Sequence, residues 1–207
     1  VLKYLHAESD YLEEVMQHTK PLQEGIFLEM KGRIKEDDAS VPEKDGGYFY
    51  YTRYEAGKQY PIFCRMEDSS NSSEEILLDQ NELAEGKTFC SVSGFSVSPD
   101  GNKLAYAVDY DGDEVYTIYI KDLVSHLHFP ETIPNTLGSV YARVGLEWAN
   151  DSATIFYATV DPTKRPCKLF RHRIGTDPAQ DVLIFHEEDE HYYLYFYKSR
   201  DDAYLML

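Results

Sequence analysis

DGGYFYY (residues 45–51), DGNKLAY (100–106), DSATIFY (151–157) and DDAYLML (201–207) share one form: an aspartate, two small or polar residues, then an apolar run. The four aspartates, Asp45, Asp100, Asp151 and Asp201, stand 55, 51 and 50 residues apart. A unit of roughly 50 residues with about four short strands is what a propeller blade requires, because one four-stranded sheet buries its faces only against its neighbours. Each aspartate is expected to accept hydrogen bonds from nearby backbone amides and so fix the turn before its strand. Four starts make only part of a ring, and Tyr204-Leu205-Met206-Leu207 ends inside an apolar strand. The expectation is therefore a mainly β chain forming a partial β-propeller, a fragment whose last strand edge is unpaired.

Outward from these strings, the chain from Val41 onward follows period 2, with Tyr, Phe, Val, Ile and Thr in short runs bounded by Gly, Asp, Asn, Ser and Pro. Strands are predicted at 47–54, 60–66, 75–79, 93–97, 103–109, 114–121, 145–148, 154–160, 168–173, 182–186, 192–197 and 203–207. Glu55-Ala56-Gly57-Lys58 and Asp111-Gly112-Asp113 offer positive-φ residues for hairpins, Pro99-Asp100-Gly101-Asn102 a tight turn, and Asn81-Glu82-Leu83-Ala84 a short capped helical turn. Upstream the period is 3.6. Leu2, Leu5, Leu12, Val15 and Met16 mark a helix over residues 2–18, Thr19-Lys20-Pro21 interrupts it, and Leu22, Ile26, Phe27 and Met30 mark a second from Pro21 to Arg33. Such stripes have to lie against something larger. Glu36-Asp37-Asp38 reads as the polar exit, giving a helical N-terminal segment (1–40) followed by the partial propeller (41–207).

Composition narrows the function. Twenty Lys and Arg against 37 Asp and Glu give a net charge of −17, which repels phosphate backbones and anionic headgroups and favours cationic peptides as partners. Neither nucleic acid nor membrane is expected. With 43% hydrophobic residues, 18 Tyr and 10 Phe, the chain has too much apolar surface for a disordered acidic polymer. No apolar run approaches the ~18 residues of a membrane helix, and VLKYLHAESDYLEEV carries acids where a signal peptide is apolar. A cytoplasmic location follows as the expectation. Cys64, Cys90 and Cys167 are odd in number and lack CxxC spacing, so reduced buried thiols are expected, and the sequons Asn71-Ser72-Ser73 and Asn150-Asp151-Ser152 read as turn composition.

Several constellations imitate chemistry. His186-Glu187-Glu188-Asp189-Glu190-His191 places its histidines five apart, where a zinc helix needs four. His126 and His128 lack a third ligand. Asp109, Asp111, Asp113 and Glu114 suggest a calcium loop, but Gly112 stands at position four where such loops need glycine at six. No metal site and no cofactor is expected. The aromatics from Tyr48 to Tyr60, with Arg53 and Lys58, suit packed strands as well as base stacking, and the net charge decides for packing. A nucleophile elbow needs Gly-x-Ser-x-Gly, and Gly94-Phe95-Ser96-Val97-Ser98, the nearest approach, fails. No catalytic residue is assigned in this chain.

The ordered segments EEVMQHTKPLQEGIFLEMKGRIKEDDASVP, GGYFYYTRYEAGKQYPIFCR, LLDQNELAEG, FSVSPDGNKLAYAVDYDGDEVYTIYIKDL, EWANDSATIFYATVD and RPCKLFRHRIG resemble the oligopeptidase B group of the prolyl oligopeptidase family of serine peptidases. The resemblance runs essentially end to end. It implies a two-domain enzyme in which a seven-bladed propeller covers an α/β-hydrolase domain, admits only short peptides to a Ser, Asp, His triad, and cleaves after Arg or Lys. It implies that this chain holds the helical lead-in and the first three to four blades, is inactive alone, and has the absent C-terminal hydrolase domain and short basic peptides as partners. Within that frame Glu114, then Asp113, at a hairpin tip, are the candidates for steering a cationic substrate or pairing across the domain interface. Glu36-Asp37-Asp38 is a further candidate contact with that domain. A stand-alone propeller acting as a protein-interaction scaffold is the alternative.

Overall fold

The computed structural model describes residues 1–70, 72–138 and 145–207. Asn71 of the first sequon lies outside the described residues. Helix α1 (Leu2–Met16) runs through one 3₁₀ turn (Gln17–Thr19) into α2 (Lys20–Gly32), with Pro21 in the first turn of α2, where its missing N–H costs nothing. The expected interruption is thus a tightened turn. Neither helix buries a single residue: Leu5, Leu12, Val15, Ile26, Phe27 and Met30 all remain exposed. Among the described residues nothing covers the apolar stripes.

Strand pairing begins where Ala39 bridges Arg53, and continues into three successive four-stranded antiparallel meanders. The first comprises β1 (Glu43–Asp45), β2 (Tyr48–Arg53), β3 (Ile62–Glu67) and β4 (Glu75–Asp79), the last leading into α3 (Gln80–Leu83), capped by Asp79, which accepts from the Asn81 amide. The second comprises β5 (Ser91–Val97), β6 (Lys103–Asp109), β7 (Val115–Asp122) and β8 (Ile133–Leu137). The third comprises β9 (Leu146–Trp148), β10 (Thr154–Val160), β11 (Pro166–Arg173) and β12 (Val182–His186). A fourth opens with β13 (Tyr197–Lys198) and β14 (Leu205–Met206). One ladder pair, Thr159 with Thr136, joins the second meander to the third. The strings that open the sequence reading supply β2, β6, β10 and β14, the same strand of each sheet.

The two faces of β6 show why the architecture is a propeller. Leu104, Tyr106 and Val108 point into a cluster with Leu77 and Leu78 of the first sheet. Ala105 and Ala107, one residue out of phase, share a cluster with Leu146, Trp148 and Ile155 of the third. The same alternation recurs in β10, where Ile155 and Tyr157 meet the second sheet and Ala158 joins Leu169, Leu194 and Phe196. The second and third sheets therefore bury both faces between their neighbours. The first strands of consecutive sheets also approach: Trp148 Nε1 donates to Ser96 O at 3.0 Å, and a Cβ added at Gly94 would lie 3.6 Å from Leu146 Cβ.

The predicted turn chemistry appears three times. Asp100 accepts from the Ser98 hydroxyl and the Asn102 amide, Asp151 from the amides of Ala153 and Thr154, and Asp201 from the Ser199 hydroxyl and the Ala203 amide. The following residue is left-handed each time: Gly101 (φ 74°), Ser152 (φ 53°) and Asp202 (φ 55°). At Asp45 the turn is instead a two-residue Gly46-Gly47 hairpin pairing Asp45 with Tyr48. The turns also bond to one another. Asp100 N donates to Ser152 Oγ at 3.0 Å, Asn150 Nδ2 to Asp202 O at 2.9 Å, and Arg65 of β3 reaches Gly101 O at 2.7 Å.

Strand prediction failed in three places. The strand Ile133–Leu137 was not expected, because Pro134 and a left-handed Asn135 (φ 59°) break its pattern. The strand Glu43–Asp45 was missed because all three residues are polar and exposed. Of the predicted strand 192–197 only Tyr197 joins a ladder, although the Leu194 amide donates to Pro166 O, Leu194 and Phe196 are buried, and Tyr193, Tyr195 and Tyr197 are exposed, as period 2 requires.

Candidate functional site

The turn aspartates lie at one end of the sheets, and the β6–β7 and β10–β11 hairpins, which carry the candidate acids, lie at the other, since antiparallel strands alternate in direction. Asp109 closes β6 and organises the first hairpin. Its Oδ1 accepts from the amides of Asp111 and Gly112, both at 2.8 Å, and its Oδ2 from the Glu114 amide at 2.9 Å. Gly112 (φ 77°) lies against the Phe89 ring, and Glu114 is itself left-handed at φ 65°. The aspartate expected to suggest a calcium ligand is thus consumed by backbone amides. Asp113 and Glu114 stay exposed at the tip.

The next sheet repeats the device. Asp161 closes β10 and accepts from the Thr163 hydroxyl at 2.6 Å, the Arg165 amide at 3.1 Å and the Arg165 guanidinium at 3.0 Å. The Thr163 hydroxyl, ahead of the Arg165 contacts, holds the Asp161 carboxyl down to about 2. Lys164, left-handed at φ 65° like Glu114, extends to the neighbouring hairpin, donates to Asp113 O and sits 3.9 Å from its carboxylate. Of the two predicted residues, Asp113 is therefore partly neutralised by a cation that sequence reasoning did not single out, while Glu114 has no ion pair among the described residues.

Arg165 was missed altogether. It is buried, and one of its terminal nitrogens donates to Asp189 O at 3.1 Å and Tyr192 O at 2.8 Å, with a longer contact to Glu187 O at 3.4 Å. It pins the acidic loop after β12. Within that loop Asp189 accepts from the His191 amide and ring, and the amide holds its carboxyl below the usual carboxylate range. One end of the sheets thus presents Asp111, Asp113, Glu114, Glu187, Glu188, Asp189 and Glu190, with Lys164 set among them.

His186 closes β12 while His191 bonds Asp189, and His128 accepts or donates to the Tyr106 hydroxyl at 2.8 Å rather than pairing with His126. Among the described residues no group of three His, Cys, Asp or Glu is placed to hold a metal ion. Ser96 lies within strand β5, paired with Ala105, not at a strand-to-helix turn. The aromatic run is packing: Tyr50, Tyr60 and Phe63 lie against the cluster between the first two sheets, and Arg65 stacks on Tyr48 at 4.2 Å. Among the described residues no helix is long and apolar enough to cross a membrane.

Comparison with known proteins gives a consistent picture. The family described as "Prolyl oligopeptidase, N-terminal beta-propeller domain" matches residues 1–207. "Protease 2" of Moraxella lacunata is 38% identical over 212 residues, covering 100% of this chain and 30% of its own length. "Dipeptidyl aminopeptidase BI" of Pseudoxanthomonas mexicana is 36% identical over 223 residues, again covering 100% of this chain and 30% of its own length. Oligopeptidase B from Leishmania major superposes with a TM-score of 0.91 at 32% identity, over 99% of this chain and 28% of that one. Oligopeptidase B from Trypanosoma brucei, with covalently bound antipain, gives 0.87 at 35% identity, with the same coverage of 99% and 28%. The chain spans about 30% of the length of the curated relatives it matches.

Proposed function

Because this chain belongs to the family of prolyl oligopeptidase N-terminal β-propeller domains, we propose that it is the gating and substrate-selecting part of an oligopeptidase B-type serine peptidase that cleaves short peptides after Arg or Lys. The parent protein is of a peptidase family. The supporting observation for basic specificity is the acidic end of the sheets, where Asp113, Glu114 and the Arg165-pinned loop Glu187–Glu190 set a negative potential in a chain of net charge −17. Residues 1–40 are a helical segment and 41–207 the propeller portion. An α/β-hydrolase domain elsewhere in the protein supplies serine attack, histidine as general base and an oxyanion hole, so the 207-residue chain alone has no peptidase activity. The uncovered stripes of α1 and α2 are surface for that domain. Residence is cytoplasmic, in keeping with three free, buried cysteines.

The test compares kcat/KM of the full-length protein on blocked peptides ending in Arg or Lys, blocked peptides ending in Pro, and unblocked dipeptidyl substrates. Preference for Arg and Lys over Pro by about a hundredfold or more is expected. Equal or greater activity on Pro overturns the specificity, and a preference for unblocked dipeptides assigns the activity carried in the name of the Pseudoxanthomonas relative. Glu114→Lys with Asp113→Lys is expected to raise KM for Arg substrates about threefold to tenfold at low salt, an effect that fades as salt screens it.

A further inference from the structure

Glu131, Tyr157, His172 and Asp181 form a buried cluster at the opposite end of the sheets from the acidic loops. His172, in β11, is fully buried, and its Nδ1 lies 2.7 Å from Asp181 Oδ1. The other oxygen of that carboxylate accepts from the Tyr157 hydroxyl at 2.7 Å. A carboxylate that takes a tyrosine donor on one oxygen acts as an acceptor on the other, so Nδ1 carries a hydrogen and donates it. Nε2 is then the open question. It has no hydrogen-bond partner among the described residues and faces Glu131 Oε1 at 3.8 Å. Glu131 has a side chain only 6% exposed, and the same oxygen accepts the Gly175 amide at 2.6 Å.

A neutral imidazole would aim the Nε2 lone pair at a carboxylate oxygen in a site closed to water, leaving a buried polar atom opposed by like charge. A second proton converts the same approach into attraction and sets a cation between two buried carboxylates. We propose that His172 is a buried proton-binding site, a doubly protonated imidazolium that fastens the third sheet to the second. The fastening arises because Glu131 comes from the β7–β8 connection, whereas Tyr157, His172 and Asp181 belong to the third sheet. The titratable groups facing the ring are Tyr157 from β10, Asp181 from the β11–β12 connection and Glu131 from the neighbouring sheet, while Arg171 and Arg173, the neighbours of His172 in β11, are exposed.

Neutron diffraction from deuterated crystals of the full-length protein at neutral pH tests the assignment directly. Deuterium on both Nδ1 and Nε2 of His172 is expected, and a bare Nε2 overturns the proposal. In solution, Glu131→Gln keeps an oxygen at that position for the Gly175 amide and removes the negative charge opposite Nε2. Glu131→Gln should therefore lower the melting temperature at neutral pH, since an imidazolium set between two carboxylates loses one of them. An unchanged or raised melting temperature overturns the proposal, because a neutral imidazole loses nothing when the charge facing its lone pair is removed, and if Glu131→Gln does not fold, the neutron map decides.

Discussion

The Asp100 amide donates to Ser152 Oγ at 3.0 Å, so a turn of the second sheet is hydrogen-bonded to the equivalent turn of the third. Ser152 serves two ends at once. It is left-handed (φ 53°), as the turn demands, and it supplies the acceptor that links the sheets.

Separating those roles gives the first prediction. Ser152→Ala loses the acceptor and keeps an unfavourable backbone, whereas Ser152→Gly loses the acceptor but gains conformational tolerance. Ser152→Ala should cost about 1–2 kcal/mol and Ser152→Gly less, by urea denaturation. Equal losses would show that the backbone conformation carries no strain.

Gly94 sits at the irregularity in β5 with φ 59°, and an added Cβ there would meet its nearest atoms at 3.6 Å, ordinary contact distance. Space is available, so Gly94→Ala should cost only the left-handed conformation, about 1–2 kcal/mol. A loss above about 4 kcal/mol would mean that packing against Leu146 and Ala107 is tighter than this spacing allows.

Asp161 provides a pH prediction. Its carboxyl, held down to about 2 by the Thr163 hydroxyl, is ionised in the folded chain at pH values where an unfolded aspartate, near ~3.9, takes up a proton. Its contribution is present above pH ~4 and disappears as pH falls through about 2. Melting curves should accordingly separate the unaltered protein from Asp161→Asn at pH 7, and the two should converge toward pH 2.

Arg165 should act as the fastener of the acidic loop. Lysine can carry the charge but not the planar fork that holds Asp161 and the carbonyls of Asp189 and Tyr192 together. In Arg165→Lys, amide hydrogen exchange should quicken across residues 187–194 and stay unchanged in β6 and β7. Unchanged exchange in the loop would show that the Glu187 amide bond to Cys167 O suffices to hold it.

The propeller was legible because Asp100, Asp151 and Asp201 mark turns whose hydrogen bonds are local, spanning two or three residues. Local chemistry leaves local signatures. The Ile133–Leu137 strand was not legible, since Pro134 is tolerated there by tertiary pairing with β7, which no window of sequence contains. The site divides in the same way. Asp113 and Glu114 were visible as acids of a Gly-containing hairpin, but Lys164 reaches Asp113 across 51 positions and Arg165 reaches the acidic loop across 22 to 27. The buried His172 cluster was likewise invisible, with Glu131 bonded to the Gly175 amide 44 positions away.

The linked turns also decide where such a chain has freedom to change. Arg65 to Gly101, Asp100 to Ser152 and Asn150 to Asp202 form a seam that steps from one repeat to the next. An insertion on that seam would misalign every later repeat, whereas one in the hairpins at the far end would disturb adjoining loops and leave the sheets in step. Room for change therefore lies at a single edge of the molecule, the edge that carries Asp113, Glu114 and the Glu187–Glu190 loop, while the stitched edge preserves the meter of the repeat.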